Sequence, residues 1–156
     1  MQKTAVFPGS FDPFTVGHED LVLRALELFD SIIVAVGVHS MKQSLMTIDA
    51  RVKMIGKVFE AHEQVTVDSF EGLTVDYCKK VNATHMLRGI RTAADFEYER
   101  AIAQINKKML PTVESVFLLT SPEHTPVNST IIREIIRNRG DVSQFIPEGI
   151  KINDYL

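Results

Sequence analysis

The sequence predicts an α/β fold built on a doubly wound, five-stranded parallel sheet. Five short apolar runs alternate along the chain with longer stretches of helical periodicity. Some runs, such as residues 32–36, are apolar at every position, which suits a strand buried on both faces. Helices between such strands supply right-handed crossovers. A length of 156 residues predicts a single domain spanning 1–156.

The predicted strands are short and follow one another at intervals that leave room for a helix. In chain order they cover residues 4–7, 31–38, 64–70, 84–88 and 114–120.

Several of the predicted helices have a start or stop signal. Gly17-His18 opens the first, whose apolar stripe includes Leu21, Val22, Ala25, Leu26 and Phe29. Thr47 is the expected N-cap of the second, which runs to about residue 61. The third covers 72–81, the fourth covers 92–110, and the fifth covers 128–138 with Gly140 as its C-cap signal.

Composition limits the function classes. Seventeen basic and twenty acidic residues give a formal charge of −3, which argues against non-specific binding to nucleic acid or to an anionic membrane. No secretion signal and no run of ~18 apolar residues is present, so we expect a cytoplasmic protein. The single cysteine, Cys78, excludes an internal disulfide, and we interpret it as a buried apolar residue. The five histidines lack metal-ligand spacing, so no protein-held metal is predicted.

Residues 7–18 are the most informative segment. A strand enters a turn rich in Pro and Gly, and Gly17-His18 then begins a helix. Free N–H groups and an imidazole at a helix N-terminus form a site for phosphate. The segment lacks the Gly-Lys-Ser/Thr of a Walker loop and the G-x-G-x-x-G of a dinucleotide fold.

The candidate residues all follow predicted strands, and the carboxyl ends of parallel strands share one edge. We interpret His18 as a hydrogen-bond donor to a phosphate rather than as a structural histidine at a helix end. Ser10 is either a plain turn residue or a phosphate ligand, and Lys42 either neutralises an acceptor phosphate or is a solvated loop lysine. Arg88 ends an apolar strand and must meet an anion, and Arg91 can present a fork of donors to ligand phosphates. The alternative for this segment is a structural ion pair with Asp95 or Glu99.

Two helical segments complete the predicted cleft. Asp95, Tyr98, Glu99, Ile102 and Asn106 share one helix face, which forms a cleft wall, a subunit interface or both. The helix start at 128–130 offers a second anion site, and this use is compatible with N-capping by Asn128 or Ser129.

Several motifs together resemble the bacterial phosphopantetheine adenylyltransferases of the nucleotidylyltransferase superfamily. They are Pro8-Gly9-Ser10-Phe11-Asp12-Pro13, Gly17-His18, Lys42, Arg88-Gly89-Ile90-Arg91, Asp95-Phe96-Glu97-Tyr98-Glu99 and Glu114-Ser115-Val116-Phe117-Leu118. The likeness runs to about residue 147. Two departures are Ser10, where the family commonly has Thr, and the 124–130 loop, which lacks the family's Trp and serine run.

The resemblance implies a Rossmann-like nucleotidylyltransferase fold and transfer of the adenylyl group of ATP to 4′-phosphopantetheine. The products would be dephospho-coenzyme A and pyrophosphate. Mg²⁺ would accompany ATP, coenzyme A would act as a feedback inhibitor, and the enzyme would be a homohexamer. The alternatives are a sister enzyme acting on nicotinate mononucleotide or glycerol phosphate, and a non-catalytic nucleotide sensor.

The resemblance also implies roles for individual residues. Phosphopantetheine would be held by Ser10, Lys42, Thr74 and Arg88. ATP would be held by Ser10, Phe11, His18, Gly89, Ile90, Arg91, Glu99, His124, Thr125, Pro126, Val127, Asn128, Ser129 and Thr130. The catalytic residues would be His18, Lys42 and Arg91, acting on an in-line attack by the acceptor phosphate that needs no protein nucleophile.

Overall fold

Five parallel strands form one sheet in the order β3-β2-β1-β4-β5, which confirms the predicted fold class. The computed structural model describes residues 1–39 and 43–156, so the predicted catalytic residue Lys42 lies outside the described residues. The strands are β1 Thr4–Gly9, β2 Ser31–Val38, β3 Val65–Glu71, β4 His85–Ile90 and β5 Glu114–Leu119. β1 and β4 each extend two residues beyond their predicted ends.

Five α-helices connect or follow the strands in the described residues. They are α1 Val16–Ala25, α2 Ile48–Val58, α3 Thr74–Lys80, α4 Ala93–Met109 and α5 Ser129–Arg137. Short 3-10 turns occupy Pro122–His124, Ser143–Phe145 and Ile152–Tyr155.

Four of the helices begin at a polar side chain that caps the backbone. Thr15, Thr47, Thr92 and Asn128 each accept a hydrogen bond from the N–H three residues later. The predicted cap at Thr47 is therefore confirmed. Helix α2 ends at Val58 rather than near residue 61.

The end of α5 differs from the prediction that Gly140 caps it. Arg139, with φ of 60°, is the left-handed residue, and its N–H donates to Ile136 O at 2.9 Å. Gly140 N–H donates to Ile135 O at 2.8 Å, completing a Schellman motif. Gly140 is still required, because a Cβ there would lie 2.5 Å from Ile135 Cγ2.

Each face of the sheet has its own apolar cluster, as a doubly wound fold requires. The larger cluster includes Leu21 of α1, Ile55 of α2 and Ile132 of α5. The smaller includes Val75 and Cys78 of α3. Cys78 is fully buried, as predicted, and burial raises the pKa of its thiol to about 11. Among the described residues, we find no helix long and apolar enough to cross a membrane.

Candidate active site

A cleft opens where the carboxyl ends of β1 and β4 lie side by side. Within the sheet, β2 lies on one side of β1 and β4 lies on the other, so the strand order changes direction at β1. Such a switch point is where open α/β sheets bind ligands. Two cavities of about 720 Å³ and about 420 Å³ lie there. They share the lining residues Pro8, Gly9, Ser10, Arg88, Tyr98 and Glu99.

The larger cavity collects most of the residues predicted to hold ATP. It is lined by Ser10, Phe11, His18, Gly89, Arg91, Glu99, His124, Val127, Asn128, Ser129 and Thr130, together with Arg88. Ile90 is buried, while Thr125 and Pro126 are exposed, and none of the three belongs to this lining.

The smaller cavity lies beside the ends of β2 and β3. Three of the residues expected to hold the acceptor, Ser10, Thr74 and Arg88, line it. Its apolar wall includes Phe70, Met86 and Ile102, and its polar groups include Asn106. Apolar walls with a few polar groups are typical of a site for a small molecule.

His18 is fixed by a capping box at the start of α1. Its backbone N–H donates to Thr15 Oγ1 at 3.4 Å, and Thr15 N–H donates to His18 Nδ1 at 3.0 Å. Because Nδ1 accepts this hydrogen bond, the proton of the neutral ring is on Nε2. The imidazole therefore presents Nε2–H as its remaining donor.

The His18 ring is half-buried among aromatic side chains. Its centroid lies 5.1 Å from that of Phe11, 5.2 Å from Phe14 and 6.2 Å from Phe7. Burial, helped by the nearby positive charges of Arg88 and Arg91, lowers the pKa of His18 to about 4. The ring is consequently neutral at physiological pH.

Arg88 makes the ion pair with Glu99 that the sequence left as an alternative. Nε donates to Oε2 at 2.9 Å and Nη2 to Oε1 at 2.6 Å, while Nη1 donates to Pro8 O at 2.6 Å. Glu99 is buried on α4, so it holds the guanidinium against the end of β1. Glu99 thus contacts the cleft through its pairing with Arg88.

Arg91 has a looser partner. Its Nε lies 3.5 Å from Asp95 Oδ2, and its backbone N–H donates to the same oxygen at 3.1 Å. The side chain remains partly exposed and lines the larger cavity. A partly exposed ion pair of this length is weak, so Arg91 can turn its donors to a ligand phosphate.

The start of α5 closes the other side of the larger cavity. Asn128 Oδ1 accepts from Ile131 N–H at 2.9 Å, which confirms the predicted N-capping. Ser129 Oγ donates to Pro13 O at 2.9 Å, so the helix start is tied to the turn after β1. Residues 128–130 at this helix start line the same cavity as His18. Free N–H groups at the start of a helix favour an anion.

Sequence reasoning missed four residues that build this site. Thr15 caps α1 and orients His18, and its position before Gly17-His18 is a recognisable capping signal. Arg133 donates to Asp12 O at 3.0 Å and lines the larger cavity, and its place four residues after Ser129 puts it on the same helix face. Asp12 and Arg51 act through tertiary contacts that no local pattern encodes.

No group of three or more His, Cys, Asp or Glu side chains is placed to hold a metal within residues 1–39 and 43–156. The carboxylates near the cleft are engaged with protein donors: Glu99 with Arg88, Asp95 with Arg91, and Asp12 with backbone amides. The donor set of the cleft therefore suits phosphate groups rather than a bare cation.

Comparison with known proteins identifies the class of protein that this fold and cleft define. A family model described as cytidylyltransferase-like matches residues 6–135, so the chain is a nucleotidyltransferase of that class. Solved structures of a bifunctional NMN adenylyltransferase/ADP ribose pyrophosphatase from Francisella tularensis share the fold. One has a TM-score of 0.74 at 16% identity, and one complexed with AMP and a manganese ion has 0.70 at 15%. Each match covers 96% of this chain and 46% of that one.

More similar relatives identify the family within that class. A phosphopantetheine adenylyltransferase of Leptospira biflexa is 49% identical over 150 residues, covering 96% of this chain and 94% of the relative. One of Bacteroides thetaiotaomicron is 46% identical over 151 residues, covering 97% and 99%. The chain belongs to the phosphopantetheine adenylyltransferase family.

Proposed function

We propose that this enzyme transfers the adenylyl group of ATP to 4′-phosphopantetheine, releasing pyrophosphate and forming dephospho-coenzyme A. The observation that carries the proposal is that two cavities of different character meet at Ser10 and Arg88. ATP occupies the larger cavity, and phosphopantetheine occupies the smaller. The acceptor phosphate and the α-phosphate of ATP are then adjacent at the shared wall.

The reaction is an in-line displacement on the α-phosphorus. An oxygen of the acceptor phosphate forms the new P–O bond, and the bond to the bridging oxygen breaks to release pyrophosphate. Because the acceptor is already an anionic nucleophile, the protein supplies position and charge rather than a nucleophile. His18 donates through Nε2–H to the reacting phosphate, and Arg91 neutralises charge on the leaving group. A donor of this kind is worth a factor of ~10²–10³ in rate.

Lys42 is proposed as the third catalytic group from the resemblance in sequence. As a compact point charge it would neutralise the acceptor phosphate alongside Arg88. Mg²⁺ would supply charge neutralisation on the ATP phosphates and enter as part of the nucleotide. The pairing of the nearby carboxylates with protein donors supports that mode of entry.

The remaining proposals concern regulation, assembly and location. Coenzyme A combines a pantetheine arm with an adenine nucleotide, so it would span both cavities and inhibit. Helix α4 exposes 70% of Tyr98, 57% of Ile105 and 52% of Met109, and packing of this face against another subunit would support a homohexamer. The expected location is the cytoplasm.

The decisive experiment incubates the purified protein with ATP, Mg²⁺ and 4′-phosphopantetheine and measures pyrophosphate and dephospho-coenzyme A. A parallel reaction contains nicotinate mononucleotide, and His18→Gln serves as the control against contaminating activity. Products formed only with phosphopantetheine support the proposal. Turnover with the other acceptor alone would reassign the substrate, and ATP binding without turnover would favour the sensor alternative.

A further inference from the structure

Arg51 is a buried cation that the mechanism does not use. It lies in the first turn of α2, only 4% of its surface is exposed, and it lines neither cavity. A guanidinium is buried at a substantial free-energy cost unless its donors are satisfied. The hydrogen-bond partners of Arg51 therefore indicate its role.

All three nitrogens of Arg51 donate hydrogen bonds, and they join two separate segments. Nη1 donates to the backbone carbonyl of Ser10 at 2.7 Å. Nη2 donates to Ser44 Oγ at 3.3 Å, and Nε donates to Thr47 O at 3.3 Å. The side chain thus connects the turn after β1 to the segment 44–47 that leads into α2.

Asp12 makes the reciprocal connection from the turn to the same segment. Its carboxylate accepts from Leu45 N–H and from Met46 N–H, each at 2.8 Å, and the residue is only 5% exposed. Its charge also partly offsets the burial that lowers the pKa of Arg51. Two side-chain connections, which we call struts, therefore join residues 10–12 to residues 44–47. Arg51 makes one of them and Asp12 makes the other.

The turn held by these struts needs external support. Phe11 has φ of 48°, a left-handed conformation that a bulky residue adopts only where its surroundings impose it. The Phe11 ring meets His18 edge-on with centroids 5.1 Å apart. A relaxation of the turn would consequently move Ser10 and remove a wall from beside the imidazole.

We infer that Arg51 and Asp12 are positioning residues for adenylyl transfer, holding the Ser10–Phe11 turn in the place where it meets the reacting phosphates. The inference rests on the proposed function. It differs from a purely structural role, which would lower thermal stability while leaving turnover by the folded enzyme unchanged. Misplacing a reacting group by about 1 Å can lower a rate ~10²-fold, so a small shift of the turn is measurable.

The test compares Arg51→Met, Arg51→Lys and Asp12→Asn with the control Ile55→Ala. Ile55 is fully buried on the same helix, but it takes no part in the hydrogen bonds to the turn. Arg51→Met removes a buried charge whose hydrogen-bond partners are neutral oxygens, and Asp12 keeps its two backbone donors, so no buried charge is left unpaired and the variant is expected to fold.

Steady-state kinetics well below the Tm of each variant separate the two roles. We expect Arg51→Met to lower kcat about tenfold or more, with both KM values within about threefold of the parent. Arg51→Lys should recover part of the lost kcat, because an ammonium can donate to only some of the oxygens that accept hydrogen bonds from the guanidinium. Ile55→Ala should lower Tm but keep kcat within about twofold. An Arg51→Met enzyme with the parent's kcat would overturn the inference.

Hydrogen exchange tests the inference without relying on activity. Asp12→Asn should speed amide exchange at Leu45 and Met46, and Arg51→Met should speed it across residues 10–14. Unchanged exchange in both variants would also overturn the inference. If the parent shows no turnover but the variants show faster exchange at these amides, the proposed function fails while the struts stand.

Discussion

Arg88 and Glu99 form a two-bond ion pair on the wall shared by the two cavities, joining β4 to α4. An arginine has five N–H donors. Glu99 takes two of them and Pro8 O takes a third, which leaves one N–H on each terminal nitrogen. Structural pairing and phosphate binding are therefore compatible at Arg88, because the carboxylate orients the guanidinium and leaves donors for the ligand.

This relationship predicts that Glu99→Gln will impair the acceptor site. The amide keeps the shape of the carboxylate but loses the negative charge that holds Nε and Nη2 of Arg88. Charge-assisted hydrogen bonds contribute ~1.5–3 kcal/mol, so we expect a roughly tenfold rise in the KM for phosphopantetheine. Initial-rate measurements at saturating ATP give this KM. An unchanged value would mean that Pro8 O alone holds Arg88.

The capping box predicts that His18→Gln will separate catalysis from folding. Glutamine at this helix position can accept the Thr15 N–H as histidine does, so α1 should keep its start. The Nε2–H donor is lost, and kcat should fall ~10²–10³-fold. A urea titration should show a change in unfolding free energy of only ~1 kcal/mol or less. A variant that kept the parent's kcat would remove His18 from the mechanism.

The pKa of His18 predicts an acid-sensitive component of stability. Its pKa falls from 6.5 to about 4 on folding, so the unfolded chain binds more protons between these values. The contribution to stability is complete above pH 6.5 and decreases as pH falls towards 4. Its upper limit is ~3 kcal/mol.

The matched measurement is the Tm of the parent minus that of His18→Gln across the same pH range. We expect this difference to decline steadily below pH 6.5, because only the parent carries the titrating ring. Parallel Tm curves would show that the imidazole is solvated enough to keep its ordinary pKa.

Local sequence signals were sufficient to predict the five strands, most helix starts and the edge of the sheet where the two cavities lie. Thr47 and Asn128 cap helices as their residue types and positions predict. The choice between Asp95 and Glu99 as the partner of Arg88 was not local, because it depends on how α4 sits over β4. The struts from Asp12 and Arg51 span more than thirty residues, so no periodic pattern marks them.

The positive φ of Phe11 is a second feature that the sequence does not predict. A bulky residue with positive φ is imposed by its neighbours rather than by its own preference. The residue is 4% exposed, and its ring packs against those of Phe7 and Phe14, with centroids 5.1 Å and 5.3 Å away. The ring also covers Gly9, so the glycine's role becomes visible only in three dimensions.

Gly9 and Gly56 form a matched pair for testing this packing. A Cβ on Gly9 would lie 2.8 Å from Phe11 Cζ and 2.9 Å from Cε1, whereas nothing lies within 4 Å of a Cβ on Gly56. The Phe11 ring has little room to retreat from Gly9, because aromatic rings surround it. Overpacking of this kind destabilises by ~1–3 kcal/mol.

We therefore expect Gly9→Ala to lower the unfolding free energy and kcat together, since the displaced ring also contacts His18. Gly56→Ala should instead raise the unfolding free energy by ~0.5–1 kcal/mol, because alanine is favoured inside a helix, and should leave kcat unchanged. Urea unfolding and steady-state assays on both variants check the pair. Equal stability changes would show that the turn accommodates a methyl group, and a stable but slow Gly9→Ala enzyme would place the effect on the position of His18 alone.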